Sequence, residues 1–237
     1  MIEKTIRQIA ANEGKNLMQV FNDFIDYIIH GHNPSGGPMT GWVYRQASNK
    51  LFFDCYAGLI QVYRHRIAKD GWCDPLGDLF MQLLGKKSAQ CNGVFFTPEG
   101  ICELISQVTA SVKDLGKSEK KKCGAFGFRN IVSDPSCGSG RNLLSVASKL
   151  IDKPRKELPL FVGEDIDATC CGMTAVNLMM HGLPGEVICH DTLSEPDTCK
   201  FFYVVNEGLF PLPGGLPTIR KLTEPARPIT LRVRDVD

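Results

Sequence analysis

The sequence has almost no net charge and no long apolar run, and each absence excludes a class of protein. The 27 Lys and Arg residues are balanced by 26 Asp and Glu residues, which leaves a formal net charge of +1. Without a basic excess there is no chain-wide electrostatic footprint for nucleic acid, so nucleic acid would have to be met by a local patch or with the help of another chain. No apolar run approaches the roughly 18 residues that a membrane helix needs. We therefore expect no membrane partner.

The patterns that give cysteine a structural role are also missing, although the chain has 10 cysteines. There is no Cys-x-x-Cys pair, no even spacing and no signal peptide, which argues against a secreted disulfide scaffold. We therefore expect reduced thiols and a cytoplasmic location. His30 and His32 are close in sequence, but no carboxylate or cysteine completes a metal site at a suitable spacing, so we expect no bound metal.

What is present indicates a globular protein with a helical beginning. With 237 residues and 43% hydrophobic content, the chain can bury a sizeable core, as one large domain or as a small helical domain joined to an α/β domain. Residues 1–90 carry apolar residues at a spacing near 3.6, and Pro75 lies suitably early in one of these stretches. This pattern predicts a helical N-terminal region.

Residues 91–210 change to strands that alternate with helices. The predicted strands lie in the segments FRNIVSD, PLFVGED, GEVICHD and FFYVVNE. Such alternation predicts an α/β fold with a parallel sheet and helical crossovers. Residues 211–237 form a proline-rich tail, whose alternating segment 229–235 predicts an edge strand on the open side of the sheet.

A glycine-bearing turn follows the first of these strands and is the first candidate for a binding site. It contains Asp134, Pro135, Gly138 and Gly140, and a helical pattern follows it. In an open parallel sheet, ligands bind at the carboxyl ends of the strands, where such a turn brings the backbone close to them. A lone Gly-x-Gly is a weak signal, however, because nicotinamide sites, flavin sites and purely structural turns share it.

Three further features favour a nucleoside ligand at this turn. Asp165 ends the second strand, about one strand-helix-strand unit after Asp134, where a carboxylate can accept both hydroxyls of a ribose. Asp191 ends the third strand, where a carboxylate can accept from an exocyclic adenine amine. Upstream, an aromatic pair precedes Thr97-Pro98 at a predicted helix start.

Four segments then follow one another in a recognisable order: GVFFTPEGICELI, DPSCGSGRNLL, GEDIDATCCGMTAVNLMMHGL and ICHDTL. In that order they resemble the cofactor motifs of N6-adenine DNA methyltransferases, in particular the modification (M) subunit of type I restriction-modification systems. The resemblance covers about residues 74–206. It implies a Rossmann-like methyltransferase core, with S-adenosylmethionine as the cofactor.

The resemblance also implies a role for each candidate residue. Asp165 would hold the ribose of the cofactor, and Asp191 would hold its adenine. The methionine end of the cofactor would be bordered by Phe96, Thr97 and Pro98. Its main-chain cradle would be formed by Asp134, Pro135, Gly138 and Gly140.

The catalytic motif departs from the family pattern. In the family, an Asn/Asp-Pro-Pro-Tyr/Phe tetrapeptide ends the fourth strand; it supplies oxygens that draw on the adenine amine and an aromatic ring that stacks on the extruded base. Here Asn206 is the matching catalytic candidate, but Glu207-Gly208-Leu209 follows it, so both prolines and the aromatic residue are absent. Phe210, one position later, could substitute for that ring. We therefore expect weak or no catalysis by this chain alone.

These observations leave several functions open. The leading hypothesis is a DNA adenine-N6 methyltransferase homologue of the restriction-modification type, with an incomplete sheet. The alternative is a non-catalytic cofactor-binding module in a larger assembly, and a methyltransferase for protein glutamine is a third option. No target-recognition domain is recognisable, so we expect DNA to be bound through another subunit or domain, such as a specificity subunit. Asn177, on the helix after the second strand, is predicted to tie that helix to a neighbouring loop.

Overall fold

The computed structural model describes residues 2–36, 39, 41–85, 96–109, 131–150, 158–193, 199–207 and 217–223. Its first helices are α1 (Ile2–Glu13), α2 (Leu17–Gly31), α3 (Gln46–Asp70), α4 (Pro75–Leu84) and α5 (Glu99–Thr109). Local signals explain where they begin and end. Asn16 caps α2 by accepting from the backbone N–H of Met18 at 2.8 Å, and α3 ends where Gly71 turns left-handed with φ 80°. The N-terminal region is helical, as predicted.

A five-stranded sheet follows, in the order β1-β2-β3-β4-β5. The strands are β1 (Ile131–Asp134), β2 (Leu160–Asp165), β3 (Gly185–Cys189), β4 (Phe201–Val205) and β5 (Ile219–Leu222), and the crossover helices are α6 (Arg141–Ser148) and α7 (Ala168–Met180). β1, β2 and β3 are parallel. Both helices pack on one face of the sheet, since Leu144 of α6 and Val176 of α7 belong to the same hydrophobic cluster as Phe161, Val187 and Tyr203 of the strands.

The prediction of an all-parallel sheet is wrong at β4, which runs antiparallel to β3, with Val187 opposite Tyr203. The physical reason is the length of the connection. Residues 190–200 separate the two strands, whereas a parallel crossover needs about a dozen residues or more, usually with a helix. Because β4 runs in the opposite direction, its carboxyl end lies level with the amino ends of β1, β2 and β3 and not with their carboxyl ends.

The described part of the predicted tail, residues 211–237, contains one strand, and its position differs from that of the strand predicted for residues 229–235. β5 (Ile219–Leu222) pairs antiparallel with β4, with Ile219 opposite Val205, and forms one edge of the sheet. The segment 229–235, for which the alternating pattern predicts a strand, lies outside the described residues. β1 forms the other edge of the described sheet.

The helical region and the sheet share one hydrophobic core. A single cluster of buried side chains extends from α1 and α2 to the strands, and its members include Ile6, Phe24, Phe52, Leu144, Phe161 and Tyr203. A buried hydrogen bond adds to it, because the hydroxyl of Tyr63 on α3 donates to Asn177 on α7. The buried cysteines of the described ranges are free thiols, and none of the helices in those ranges is long and apolar enough to cross a membrane.

Candidate functional site

The turn after β1 depends on two glycines. Gly138 has φ 54° and Gly140 has φ 90°, a region that residues with a side chain rarely adopt. A Cβ atom at Gly138 would lie 3.1 Å from the ring of Phe96, and one at Gly140 would lie 3.1 Å from Oγ1 of Thr174. The glycines therefore allow both the backbone conformation and the close approach of Phe96 and α7 to the turn.

Hydrogen bonds from the sheet and from α7 hold this turn in place. The N–H of Cys137 donates to the carbonyl of Glu164 at 2.9 Å, and Thr174 Oγ1 donates to the carbonyl of Gly138 at 2.8 Å. Asn177 Nδ2 donates to the carbonyl of Ser139 at 2.7 Å. The prediction that Asn177 ties its helix to a loop is thereby confirmed, and the loop is the glycine turn itself.

Asp134 holds the start of the turn. The residue is 9% exposed, and its carboxylate accepts from the N–H of Ser136 at 3.2 Å and from Asn142 Nδ2 at 3.1 Å. The other side-chain atom of Asn142, Oδ1, is buried without a hydrogen-bond partner. An acceptor that lacks a donor therefore lies beside the turn.

Asp165 joins the turn to the end of β2. Its Oδ2 accepts from the N–H of Gly138 at 2.9 Å, and its Oδ1 accepts from the N–H of Asp167 at 2.9 Å. The side chain is only partly buried. The carbonyl of Asp165 accepts from the N–H of His190 at 3.0 Å. This bond places the residues that follow β3, including Asp191, next to the end of β2. Asp134, Asp165 and Asp191 thus lie at the carboxyl ends of three adjacent parallel strands.

Two exposed apolar side chains follow these acids, and sequence reasoning missed them. Ile166 is 60% exposed and Leu193 is 97% exposed. The backbone N–H of Leu193 donates to Asp191 at 3.0 Å, so the loop after β3 folds back on its acid. Ile166 directly follows Asp165, and Leu193 lies two residues after Asp191, so their places beside the two acids could have been noticed in the sequence.

Phe96, Thr97 and Pro98 lie against the same turn. The Phe96 ring packs on Gly138 and lies 5.6 Å from the ring of Phe80, measured between centroids. The carbonyl of Pro98 begins α5 by accepting from the N–H of Ile101 at 2.9 Å. The structure therefore brings this segment, the glycine turn and Asp165 together.

A charged cluster behind the turn was also missed. Asp74, the N-cap of α4, is fully buried and accepts from Arg141 Nε at 2.6 Å, from Asn177 Nδ2 at 2.8 Å and from the Ser139 hydroxyl at 2.5 Å. Arg141 also donates to Asp78 at 2.7 Å. The Asp-Pro pair at the start of α4 could have indicated the cap, but nothing local indicates its distant partners.

Asn206 is not brought to this site. It follows the carboxyl end of β4, level with the amino ends of β1, β2 and β3. It is fully buried and has a positive φ of 56°. Its Nδ2 donates to the carbonyl of Leu183 at 2.8 Å, and its Oδ1 accepts from the N–H of Thr218 at 3.3 Å. Phe210 lies outside the described residues.

The cysteine thiols near the turn keep their protons. Burial raises the pKa of the Cys137 thiol beneath the turn and raises the pKa of Cys102 to about 11. His32 contacts the carbonyl of Pro217 through Nδ1 at 2.9 Å. Within the described ranges, no group of three or more His, Cys, Asp or Glu residues is arranged to hold a metal. The site therefore offers backbone donors, carboxylates and apolar surface, and its polar groups suit a ligand that carries hydroxyls and amines.

Comparison with known proteins gives the family. The family model for N-6 DNA Methylase matches residues 72–210, more than half of the chain. The methylase subunit of the type I restriction enzyme MpnII, from Mycoplasma pneumoniae, is 26% identical over 135 residues, which are 54% of this chain and 22% of that protein. The chain thus spans about a fifth of that relative, and no solved structure matches it. The family resemblance of the motifs is confirmed: the chain belongs to the N-6 DNA methylase family.

Proposed function

We propose that this chain binds S-adenosylmethionine at the carboxyl ends of β1, β2 and β3, as part of an enzyme that methylates the N6 amine of adenine in DNA. The observation that carries the proposal is the hydrogen bond from the Gly138 N–H to Asp165, which joins the glycine turn and the acidic end of β2 into one site. The match to the N-6 DNA methylase family supports the same reaction. When bound, the cofactor supplies an activated methyl group.

Asp165 is suited to hold the ribose. A carboxylate has about four acceptor positions, and the N–H groups of Gly138 and Asp167 each use one. Because the side chain is only partly buried, the remaining positions can accept the ribose hydroxyls. The same carboxylate would then hold the turn and the ligand together.

The adenine would lie between apolar side chains beside Asp191, which would accept from its amine. Ile166 and Leu193 are 60% and 97% exposed, and covering an apolar side chain of this size contributes about 1.5–3 kcal/mol when its burial is complete. A flat ring between them would explain why two exposed apolar residues directly follow the acidic strand ends.

The methionine end would meet the main chain of the turn, from Asp134 and Pro135 to Gly138 and Gly140. Its outer wall would be Phe96, Thr97 and Pro98. Beside the turn, Asn142 Oδ1 lacks a donor, which fits an amino group such as that of the methionine moiety.

Catalysis needs more than these residues. The lone pair of an aromatic amine is delocalised into the ring, so oxygens must draw on its protons while an aromatic side chain stacks on the extruded base, a contact worth about 1–3 kcal/mol. Asn206 is the catalytic candidate of the sequence, but its side chain is bonded to Leu183 and Thr218. We therefore propose that the chain alone is weak or inactive in methyl transfer.

Calorimetry with S-adenosylmethionine tests the cofactor proposal through a matched pair of substitutions. Asp165→Asn removes the carboxylate assigned to the ribose, and we expect it to weaken binding at least tenfold from a micromolar Kd, about 1.4 kcal/mol or more. Asp167→Asn removes a neighbouring charge but keeps a good N-cap for α7, and its affinity should stay within twofold. Absence of binding heat and of a thermal shift with the wild-type chain would refute the proposal.

A non-catalytic cofactor-binding module is the second candidate function. The observation that favours it is that Asn206 is buried at the carboxyl end of β4, which lies at the other end of the strands from Asp134, Asp165 and Asp191. Transfer of tritium from labelled cofactor to adenine-containing DNA separates the two functions. Any transfer that follows the concentration of folded chain and is lost in Asp165→Asn excludes the non-catalytic module.

DNA and a specificity subunit are the proposed partners. The relative from Mycoplasma pneumoniae is described as the methylase subunit of a type I restriction enzyme, and the net charge of +1 gives this chain little general attraction for DNA. We expect tight DNA binding only in the presence of another subunit. An electrophoretic mobility shift assay with the chain alone and with the candidate subunit measures this.

A further inference from the structure

Arg141 carries a positive charge at the start of a helix, where such a charge is unfavourable, and its side chain makes three hydrogen bonds there. It is the first residue of α6, where a positive charge opposes the helix macrodipole. Its side chain is only 12% exposed, and each guanidinium nitrogen has an acceptor. Nε donates to Asp74 at 2.6 Å, Nη2 to Asp78 at 2.7 Å, and Nη1 to the carbonyl of Thr97 at 3.4 Å.

The three acceptors come from two separate parts of the chain. Asp74 and Asp78 belong to the start of α4, whereas Thr97 lies just before α5. Arg141 itself directly follows Gly140 of the turn. A planar guanidinium presents its donors in a rigid fork, so the side chain fixes the distance between the turn and the segment that carries Thr97.

The packing of Phe96 depends on this distance. Its ring lies against Gly138, where a Cβ atom would come within 3.1 Å of it, and the guanidinium carbon of Arg141 lies 5.7 Å from the ring centre. Because Phe96 and Thr97 are consecutive, the hydrogen bond to the Thr97 carbonyl also sets the position of the ring over the turn.

We propose that Arg141 is a positioning residue for the methionine half of the cofactor. This inference rests on the proposed function: Arg141 holds the segment of Phe96, Thr97 and Pro98 at a fixed separation from the glycine turn, so that the wall for the methionine moiety is formed before the ligand arrives. Asp165, Asp191 and their apolar neighbours hold the adenosine half without the help of Arg141. The contribution of Arg141 is therefore specific to ligands that carry the amino-acid moiety.

Two ligands and one conservative substitution test this division. S-adenosylhomocysteine carries the amino-acid moiety, and methylthioadenosine lacks it. Arg141→Lys keeps a positive charge beside the buried Asp74 but replaces the planar guanidinium by a single ammonium group. In calorimetry, we expect Arg141→Lys to raise the Kd for S-adenosylhomocysteine about tenfold and to leave the Kd for methylthioadenosine within twofold. Urea denaturation verifies that the variant is folded.

Arg220→Lys is the matched control. Arg220 on β5 is also partly buried and donates to Glu207 at 2.5 Å, and this pair involves neither the turn, nor α4, nor the Phe96 segment. We expect both ligands to bind Arg220→Lys within twofold of the wild type. If Arg141→Lys fails to fold, the double variant Asp74→Asn, Arg141→Gln keeps a neutral donor and acceptor, and the same pair of ligands is measured.

Each outcome decides the inference. An unchanged Kd for S-adenosylhomocysteine in a folded variant overturns it, and so does an equal loss for both ligands, because a merely structural residue would affect them alike. If the wild-type chain binds neither ligand, the proposed function fails and the inference fails with it. Binding by the wild type with a selective loss in Arg141→Lys supports both.

Discussion

At the scale of single residues, buried polar groups keep one protonation state because the protein supplies fixed partners for it. His181 lies just after α7, where its Nε2 accepts from the backbone N–H of Cys73 at 3.2 Å. A backbone amide can only donate, so Nε2 carries no proton and Nδ1 donates to the carbonyl of Asn177 at 2.6 Å. The fold therefore requires neutral His181, and burial lowers its pKa to about 4.

This pKa predicts a loss of stability in acid. The folded-state pKa of His181 lies below the unfolded value of 6.5, so its stabilising contribution is complete above pH 6.5 and falls as the pH approaches 4, by up to about 3 kcal/mol. Urea denaturation at several pH values measures this. His181→Gln should flatten the pH dependence relative to the wild type, and substitution of the exposed His65 by Gln should not. Parallel profiles for wild type and His181→Gln would contradict the prediction.

At the scale of elements, Asn206 joins three pieces of secondary structure. It follows β4, donates to carbonyls at the end of α7 and in the loop beyond it, and accepts from Thr218 just before β5. The last carbonyls of α7 already accept from the N–H groups of Gly182 and Leu183, and the Asn206 amide adds its shortest hydrogen bond at the Leu183 carbonyl, 2.8 Å away. The observed role of Asn206 is thus to fasten β4 and β5 to α7.

We therefore expect Asn206→Ala to lower the free energy of unfolding by about 2–4 kcal/mol, because the Leu183 carbonyl and the Thr218 N–H lose their partner and because Ala tolerates a positive φ less well than Asn. Asn206→Gly removes the same amide but tolerates the backbone conformation, so its loss should be smaller. Urea denaturation measures both. Cofactor affinity of the folded fraction should stay within twofold. A loss of methyl transfer at unchanged stability would instead support the catalytic role predicted from the sequence.

At the scale of the whole molecule, the helical region and the sheet behave as one packed body. Their buried side chains belong to one hydrophobic cluster, and Tyr63 and Asp74 of the helical region bond to Asn177 of α7. Removing the helices would expose the apolar face of α7 and would take Asp74 away from Arg141 and Asn177, and Tyr63 away from Asn177. The two regions therefore stabilise each other.

This shared core predicts a single unfolding transition. The protein has two tryptophans, Trp42 and Trp72, so their fluorescence reports on the helical region. Alkylation of the fully buried Cys171 on α7 reports on the sheet side. In increasing urea, both signals should change with the same midpoint, and Tyr63→Phe should shift both equally. Separate midpoints would show that residues 1–90 unfold independently.

Much of the candidate site could be predicted from the sequence because its signals are local. The turn with its two glycines follows directly after a predicted strand, and each acid comes at the end of a predicted strand. Because β1, β2 and β3 pair in parallel, their carboxyl ends then lie side by side. The roles of Asp165 and Asp191 toward a ligand stay predictions. Local pattern also indicated Asn177, although its bond to Asp74 spans 103 residues in sequence.

The sequence by itself determined the helical beginning, the positions of β1 to β4, the glycine turn and the family, since each follows from short-range spacing and residue type. Tertiary structure alone decided the direction of β4, the burial of Asn206 and the grouping of Asp74, Arg141 and Thr97. The direction of β4 depends on the connection that links it to β3, and strands of either direction show the same apolar pattern. The grouping depends on the meeting of α4, α6 and the segment before α5, and no spacing within one segment encodes such a meeting.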